Sequence, residues 1–543
     1  MGKGRRQPQN KGRHTGAQST RTVAAPSGPP MRVLVVTAYY KEERALIERT
    51  IRSVAGQTAV AKGQAVVDHL LVADGFPQDW IAGAGVRHVA LDRAHGDYGN
   101  TPRGYGSVLG IAEGYDAICY CDADNWYEPE HVETCLTAAR ALDGVDYVIA
   151  RRIMRRPDET AIPIEDEPVS THVDTNCFFF LPGSYHLIHH FANAPRELSI
   201  IGDRLFFGML KGAKLKTVLL QKPTVSYLCL WEPVYRAIGE TPPEGAKTGA
   251  DHRPAEAWLQ ARSNRDRVIV ARLTGLPLAR PAGAPEPPQP PRTTPPRVLA
   301  ITAYYKEPRA EIEACLASVA AQTARAEGRA IVDHLVIADG FPQGWLDGAG
   351  VRHLALDRSH GDYGNTPRGA ASLLAISEGY DAFFYLDADN RIEPDHVAAC
   401  LDAAAAVGPD CDWVMARRFL CRPDWTALPF AIDDGDVDTN CFFFLRGSHH
   451  MVHHFAAIPN EMSAIGDRLF HIALTAQPLR HTMVPHRTVD YLCLWREPYE
   501  LAGEVPPEGA KPAIDQLAIR AWFDGLPERR REVVSRLIGF RPE

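Results

Sequence analysis

The chain is written twice, and that fact limits what it can fold into. Met31 to about Leu273 matches Arg297 to about Phe540. Val36-Thr37-Ala38-Tyr39-Tyr40-Lys41-Glu42 returns as Ile301-Thr302-Ala303-Tyr304-Tyr305-Lys306-Glu307. The ten residues His95 to Gly104 return unchanged as His360 to Gly369, and Asp174 to Leu181 return as Asp438 to Leu445. The period is too long for a solenoid. Each copy, at about 240 residues, can bury its own core. Two domains are therefore expected, 31–275 and 297–543. Between them Leu276 to Pro296 is dense in proline and reads as a semi-rigid linker.

Within a copy, strand and helix signals alternate. Val33 to Ala38 is an unbroken apolar strand, and Glu43 to Ala55 carries Leu46, Ile47, Ile51 and Val54 at helical spacing. Strands are expected at His69–Ala73, at Arg87–Leu91 and in the run ending at Asp122. Helices are expected over Tyr105–Gly114 and Pro129–Ala141. This order predicts an α/β fold with a mostly parallel central sheet and helices on both faces. After Tyr147 the pattern is less regular. Thr175–Leu181 and Thr224–Leu230 read as strands, and Gly202–Lys211 as a helix. Pro254–Leu273 and Asp515–Leu537 read as closing helices.

A net charge of −8 argues against a general nucleic-acid binder, and no apolar run reaches the ~18 residues that span a bilayer. The stretch 1–30 is basic, lacks the apolar core of a secretory signal, and reads as a disordered tail, with docking to an anionic surface as the sharper alternative. The eleven cysteines lie mostly in apolar runs without CxxC spacing, as reduced core residues of a cytoplasmic protein would.

The chemistry concentrates where an apolar run ends in Asp122-Ala123-Asp124-Asn125, and again in Asp387-Ala388-Asp389-Asn390. Ligands in open α/β sheets gather beyond the carboxyl ends of strands. Two aspartates one residue apart suit Mg²⁺ or Mn²⁺, which keep room for water and phosphate. The plainer alternative is a strand-to-helix turn; the repetition of the pair favours a site. Tyr39, Tyr40 and Glu42 follow the first strand, Asp74 ends the second, and His95, Asp97, Asn100 and Arg103 occupy a glycine-bearing loop. All are expected on one edge of the sheet.

These residues resemble those of a family-2 glycosyltransferase of the GT-A fold. The resemblance runs from about Met31 to Trp231 and from Arg297 to Trp495. It implies two tandem GT-A-like domains that take a UDP- or GDP-sugar and pass its sugar to a hydroxyl of a glycan, lipid-linked or small-molecule acceptor. By the same resemblance, Asp74 and Asp339 face the base, and Tyr39, Glu42, Tyr304 and Glu307 line the nucleoside pocket. Arg103 and Arg368 lie near the diphosphate. Asp122, Asp124, Asp387 and Asp389 hold ribose and metal. The general base is matched by Asp203 and Asp467, each preceded by Gly where the family pattern has Glu. Inversion at the anomeric carbon would follow. The rivals are a binding protein with one or both copies inactive, and a sugar nucleotidyltransferase. The latter normally carries a triphosphate-cradling loop that Thr37 to Glu42 does not provide.

Several positions keep two readings. His95 and His360 either contact phosphate or fix a loop, and Asp97 pairs with Arg103. Asp174, Asn176, Asp438 and Asn440 either meet the acceptor or cap a turn. Trp231 and Trp495 either stack on a sugar or pack in the core. His189-His190 and His453-His454 are not read as metal pairs, because adjacent helical positions face different ways. No third metal ligand is visible: Lys222 stands where His486 stands in the second copy. Trp126-Tyr127 answers Arg391-Ile392, a difference that tunes sugar preference only if that loop reaches the substrates.

Overall fold

The computed structural model describes residues 29–164, 172–249, 251–280, 284–288, 293–429 and 437–542. The basic tail, bar its last two residues, and linker residues 281–283 and 289–292 lie outside them. In the first half, β1 (Met31–Tyr39), β2 (Ala65–Ala73), β3 (Arg87–Ala90) and β4 (Ala117–Tyr120) form the parallel part expected of alternating strands and helices. The sheet continues through β5 (Trp126–Tyr127), β6 (Tyr147–Arg155), β7 (Phe178–Phe180) and β8 (Thr217–Leu228) in the spatial order β3-β2-β1-β4-β7-β6-β8-β5. The second half repeats this eight-stranded order. β7 runs antiparallel to both neighbours, so each sheet is mixed. Two tandem α/β domains, each a central sheet flanked by helices, is the fold class expected above.

The apolar strands are central because only there are both faces covered. Val33 to Val36 are at most 1% exposed. All eleven cysteines are reduced and buried. Among the described residues no helix is long and apolar enough to cross a membrane.

Local chemistry moved some boundaries. Thr175–Cys177 is a 3-10 turn and not strand, because the Asp174 carboxylate accepts the Asn176 backbone N–H. Each closing helix is two. Arg253–Gln260 stops before Ser263, whose hydroxyl caps Asn264–Thr274; Gln516–Gly525 stops before Pro527, which opens Glu528–Ile538.

The halves pack as a pseudo-symmetric pair. The helix Asn100–Ala112 lies against its repeat Asn365–Ser377. Arg87 bonds Asp357 through two nitrogens, and Arg352 does the same to Asp92. Arg265 and Arg272, in the closing helix of the first half, both reach Asp412 of the second. Arg529 and Arg536 return the contact to Asp146. His189 stacks on His453 at 3.3 Å between ring centroids. His190 and His454 turn away to the carbonyls of Leu273 and Leu537.

Candidate active site

At the carboxyl ends of the second-half strands lies a cavity of about 530 Å³. Tyr304, Glu307, Asp339, Arg368, Asp387, Asp389 and Asp467 all line it. These are the seven second-half positions to which the resemblance gives a role. Strand ends deliver the first three and the aspartate pair. The first turn of the helix Asn365–Ser377 delivers the arginine, and the helix starting at Gly466 delivers Asp467.

The first half repeats the internal bonding. β2 ends at Asp74, where Gly75 turns the chain at φ 79° and a Cβ would meet the Ala94 nitrogen at 2.4 Å. The Asp74 carboxylate accepts the His95 backbone N–H at 3.0 Å and faces His95 Nδ1 at 2.7 Å. His95 and His360 therefore fix this loop. Burial acts against the Asp339 charge, but hydrogen bonds from His360 hold its carboxyl below the usual range. Asp97 does not pair directly with Arg103: its Oδ2 accepts both the N–H and the hydroxyl of Thr101, capping the helix. Arg103 instead donates to Asp122 at 2.5 Å and to the Tyr98 carbonyl at 2.9 Å. Tyr98 and its repeat Tyr363, both exposed, hold positive φ where their carbonyls accept these arginine bonds, a strained backbone state.

Asn176 donates to Asp122 Oδ2 at 2.9 Å, and Asn440 to Asp387 at 3.0 Å. Asp174 and Asp438 cap the turn that carries these asparagines, and Asp438 also lines the cavity. With Arg103 and Asn176 on Asp122, its orientation is set. Among the described residues no arginine or asparagine side chain bonds the Asp124 carboxylate in this way. Burial, then the Asp122 and Glu42 carboxylates, push it up to about 7, and Asp389 is pushed to about 7 in the same way.

These carboxylates lie close enough together to oppose one another's charge. Among the described residues no three His, Cys, Asp or Glu side chains form a closed metal cage. A magnesium-like ion fits the set present, since it takes one or two carboxylates and completes its shell with water and phosphate. Lys222 and His486 are not further ligands: they pair with Glu130 and Asp395.

Asp203 accepts the Arg204 backbone N–H at 2.7 Å, and its other oxygen lies 2.5 Å from His172 Nε2. His172 was not singled out from the sequence; it precedes Asp174 by two residues but sits in no motif. The glycine that departs from the family pattern has a steric reason. A Cβ on Gly202 would lie 2.9 Å from the buried Asn100 amide, and one on Gly466 would lie 3.0 Å from Asn365. Asp467 is pushed up to about 7 by burial and then by Asp438.

The tyrosines divide. Tyr39 is 2% exposed and its hydroxyl is committed to His88 and the Gln78 N–H. Tyr40, by contrast, is exposed edge-on to Phe76, with Lys41 above both; Tyr305, Phe341 and Lys306 repeat the cluster. Trp495 and Lys511 also line the cavity, with the ammonium 5.5 Å from the ring centroid. The Trp126/Arg391 difference is compensated locally. Arg49 stacks on Trp126 in one half and Arg391 stacks on Trp425 in the other, and Arg391 does not line the cavity.

No family model matches the chain, and no curated protein matches it. Among solved structures, S. aureus TarS is similar at 14% identity over 38% of each chain, with a TM-score of 0.28. TarS 1–349 in complex with UDP is similar at 13% identity over 45% of this chain and 70% of that one, with a TM-score of 0.29. The complex of TarS 1–349 with UDP-GlcNAc gives 13% identity, 45% and 65% coverage and a TM-score of 0.28. At these scores the likeness carries no argument about chemistry, which rests on the cavity.

Proposed function

We propose that the chain is a metal-dependent, inverting glycosyltransferase with one site in each half. The observation that carries this reading is the single acidic cavity lined at once by Asp339, Arg368, Asp387, Asp389 and Asp467. The donor is a nucleotide-diphosphate sugar of the UDP or GDP class. Its base meets Asp74 or Asp339, with Glu42 or Glu307 and the neighbouring tyrosines beside the nucleoside. Arg103 and Arg368 hold the first aspartate of each pair and lend positive charge near the diphosphate. Mg²⁺ or Mn²⁺, held by Asp122 and Asp124 or by Asp387 and Asp389, would supply Lewis-acid charge to the leaving group.

Asp203 and Asp467 take the proton from the acceptor hydroxyl as its oxygen attacks the anomeric carbon. The bond from that carbon to the diphosphate breaks, giving an inverted glycoside and a free nucleoside diphosphate. The Asp467 carboxyl, pushed up to about 7, is well matched to this task.

The test is a panel of UDP- and GDP-sugars incubated with the protein and Mn²⁺, with release of nucleoside diphosphate as readout. Metal-dependent release supports the reading. Nucleotide binding without turnover makes the protein a binding module.

A further inference from the structure

The two donor pockets are not independent of one another. His95, whose Nδ1 faces Asp74, turns its other ring nitrogen toward the second half. Nε2 lies 3.6 Å from Glu378 Oε1. That separation exceeds a hydrogen bond, so the link is Coulombic. Glu378 is itself gripped by Arg352 at 2.7 and 2.8 Å and approached by Arg93 at 3.3 Å.

The mirror arrangement is present. His360 faces Asp339 at 2.8 Å through Nδ1, and its Nε2 lies 3.4 Å from Glu113 of the first half. Glu113 is gripped by Arg87 at 2.6 and 2.9 Å and approached by Arg358 at 3.4 Å. The histidine side chains are 4% exposed and the glutamates 6% and 7%. A buried imidazole between two buried carboxylates is favoured as the imidazolium, which donates to the nearer one and is attracted by the other. Burial acts against that charge, yet the carboxylates on either side raise both histidines to about 9.

We propose that Glu378 is a positioning residue for the donor site of the first half, and Glu113 for that of the second. Each holds a histidine charged, and the charged histidine holds the aspartate that faces the donor's base. This rests on the reading of Asp74 and Asp339 given above. Each half therefore completes the nucleotide pocket of the other, which gives a chemical reason for two copies on one chain.

The test uses the full-length protein with ¹³C-labelled histidine and no ligand. The titration midpoints of His95 and His360 are followed by NMR in wild type, Glu378→Gln and Glu113→Gln. Glu378→Gln is expected to lower the His95 midpoint and leave His360 in place; Glu113→Gln is expected to do the reverse. Should Glu378→Gln fail to fold, Glu378→Asp withdraws the carboxylate from His95 while keeping the charge near Arg352.

A second arm measures UDP and GDP binding by calorimetry with Mn²⁺. Each variant is expected to weaken one of two sites by roughly tenfold, as loss of a supporting contact typically does. Midpoints that do not move, or that move together in either variant, overturn the proposal. Crossed midpoints with no nucleotide bound by wild type leave the cross-half hold on Asp74 and Asp339 standing and overturn the proposed function instead.

Discussion

His172 Nε2 lies 2.5 Å from Asp203 Oδ2, while the carboxylate in the same place of the second half, Asp467, is pushed up to about 7 by burial and by Asp438. The residue at the repeat position of His172 is Asp436. The two candidate bases thus work in different surroundings.

A pH profile should separate them. With Asp122→Ala and Asp124→Ala disabling the first half, remaining turnover should climb as pH rises through about 7, because Asp467 must lose its proton to act as a base. Asp467→Asn in that background should lower turnover by roughly 10²–10⁴-fold. The converse pair, Asp387→Ala with Asp389→Ala, should leave first-half turnover. Complete loss in either double variant would defeat the two-site reading.

The metal can be tested without turnover. Asp124 has a folded value of about 7 against an ordinary 3.8. A raised carboxyl contributes stability that is present below its unfolded value and lost as pH rises through the folded one. At pH 8 without metal, Asp124→Asn should therefore be more stable to unfolding than wild type, by on the order of 2–4 kcal/mol. Mn²⁺ should then raise the melting temperature of wild type more than that of the variant. Equal shifts would remove Asp124 from the metal site.

Beside the interface between halves, a contact within the first half tolerates no added atom. A Cβ on Gly104 would lie 2.1 Å from Ala192 Cβ and 3.1 Å from Leu373 of the other half. Gly104→Ala should cost about 1–3 kcal/mol by overpacking, read by chemical denaturation. Gly114→Ala is no control for it, since Gly114 has φ 65°; Gly83→Ala, where a Cβ meets nothing within 4 Å, should cost less.

Acid should loosen the same interface. Burial, then nearby positive charge, lowers His186 and His450 to about 3, and burial lowers His190 and His454 to about 4. His189 and His453 are lowered as well. Groups depressed in the fold bind fewer protons than in the unfolded chain. Their stability is full above the ordinary 6.5 and is lost as pH falls toward 3–4. Melting temperature should drop progressively below about pH 6.5, and His189→Gln should blunt the drop. The Asp124 and Asp389 carboxyls act in the opposite direction, so the variant's difference from wild type is the reading that counts.

Much of the site was legible because its residues follow strands. An apolar run ending in Asp announces a sheet edge, and two such edges, repeated at a fixed offset, place Asp74, Asp122 and their repeats without any structure. What the sequence hid were contacts between segments with no pattern of their own. His172 reaches Asp203 across 31 positions. Asn176 reaches Asp122 across 54. Tyr40 and Tyr305 were seen beside the first strand, but only the fold shows that they stay exposed against Phe76 and Phe341.

By itself, the sequence determined the two domains, their alternating strands and helices, and the acidic strand ends, because side-chain periodicity and turn residues act locally. Tertiary structure alone decided that the domains meet face to face, that Glu378 stands behind His95, and that Asp467 lines the same cavity as Asp389. Such pairings are set by how two folded surfaces fit, and charge placed on one surface has no echo in the sequence of the other.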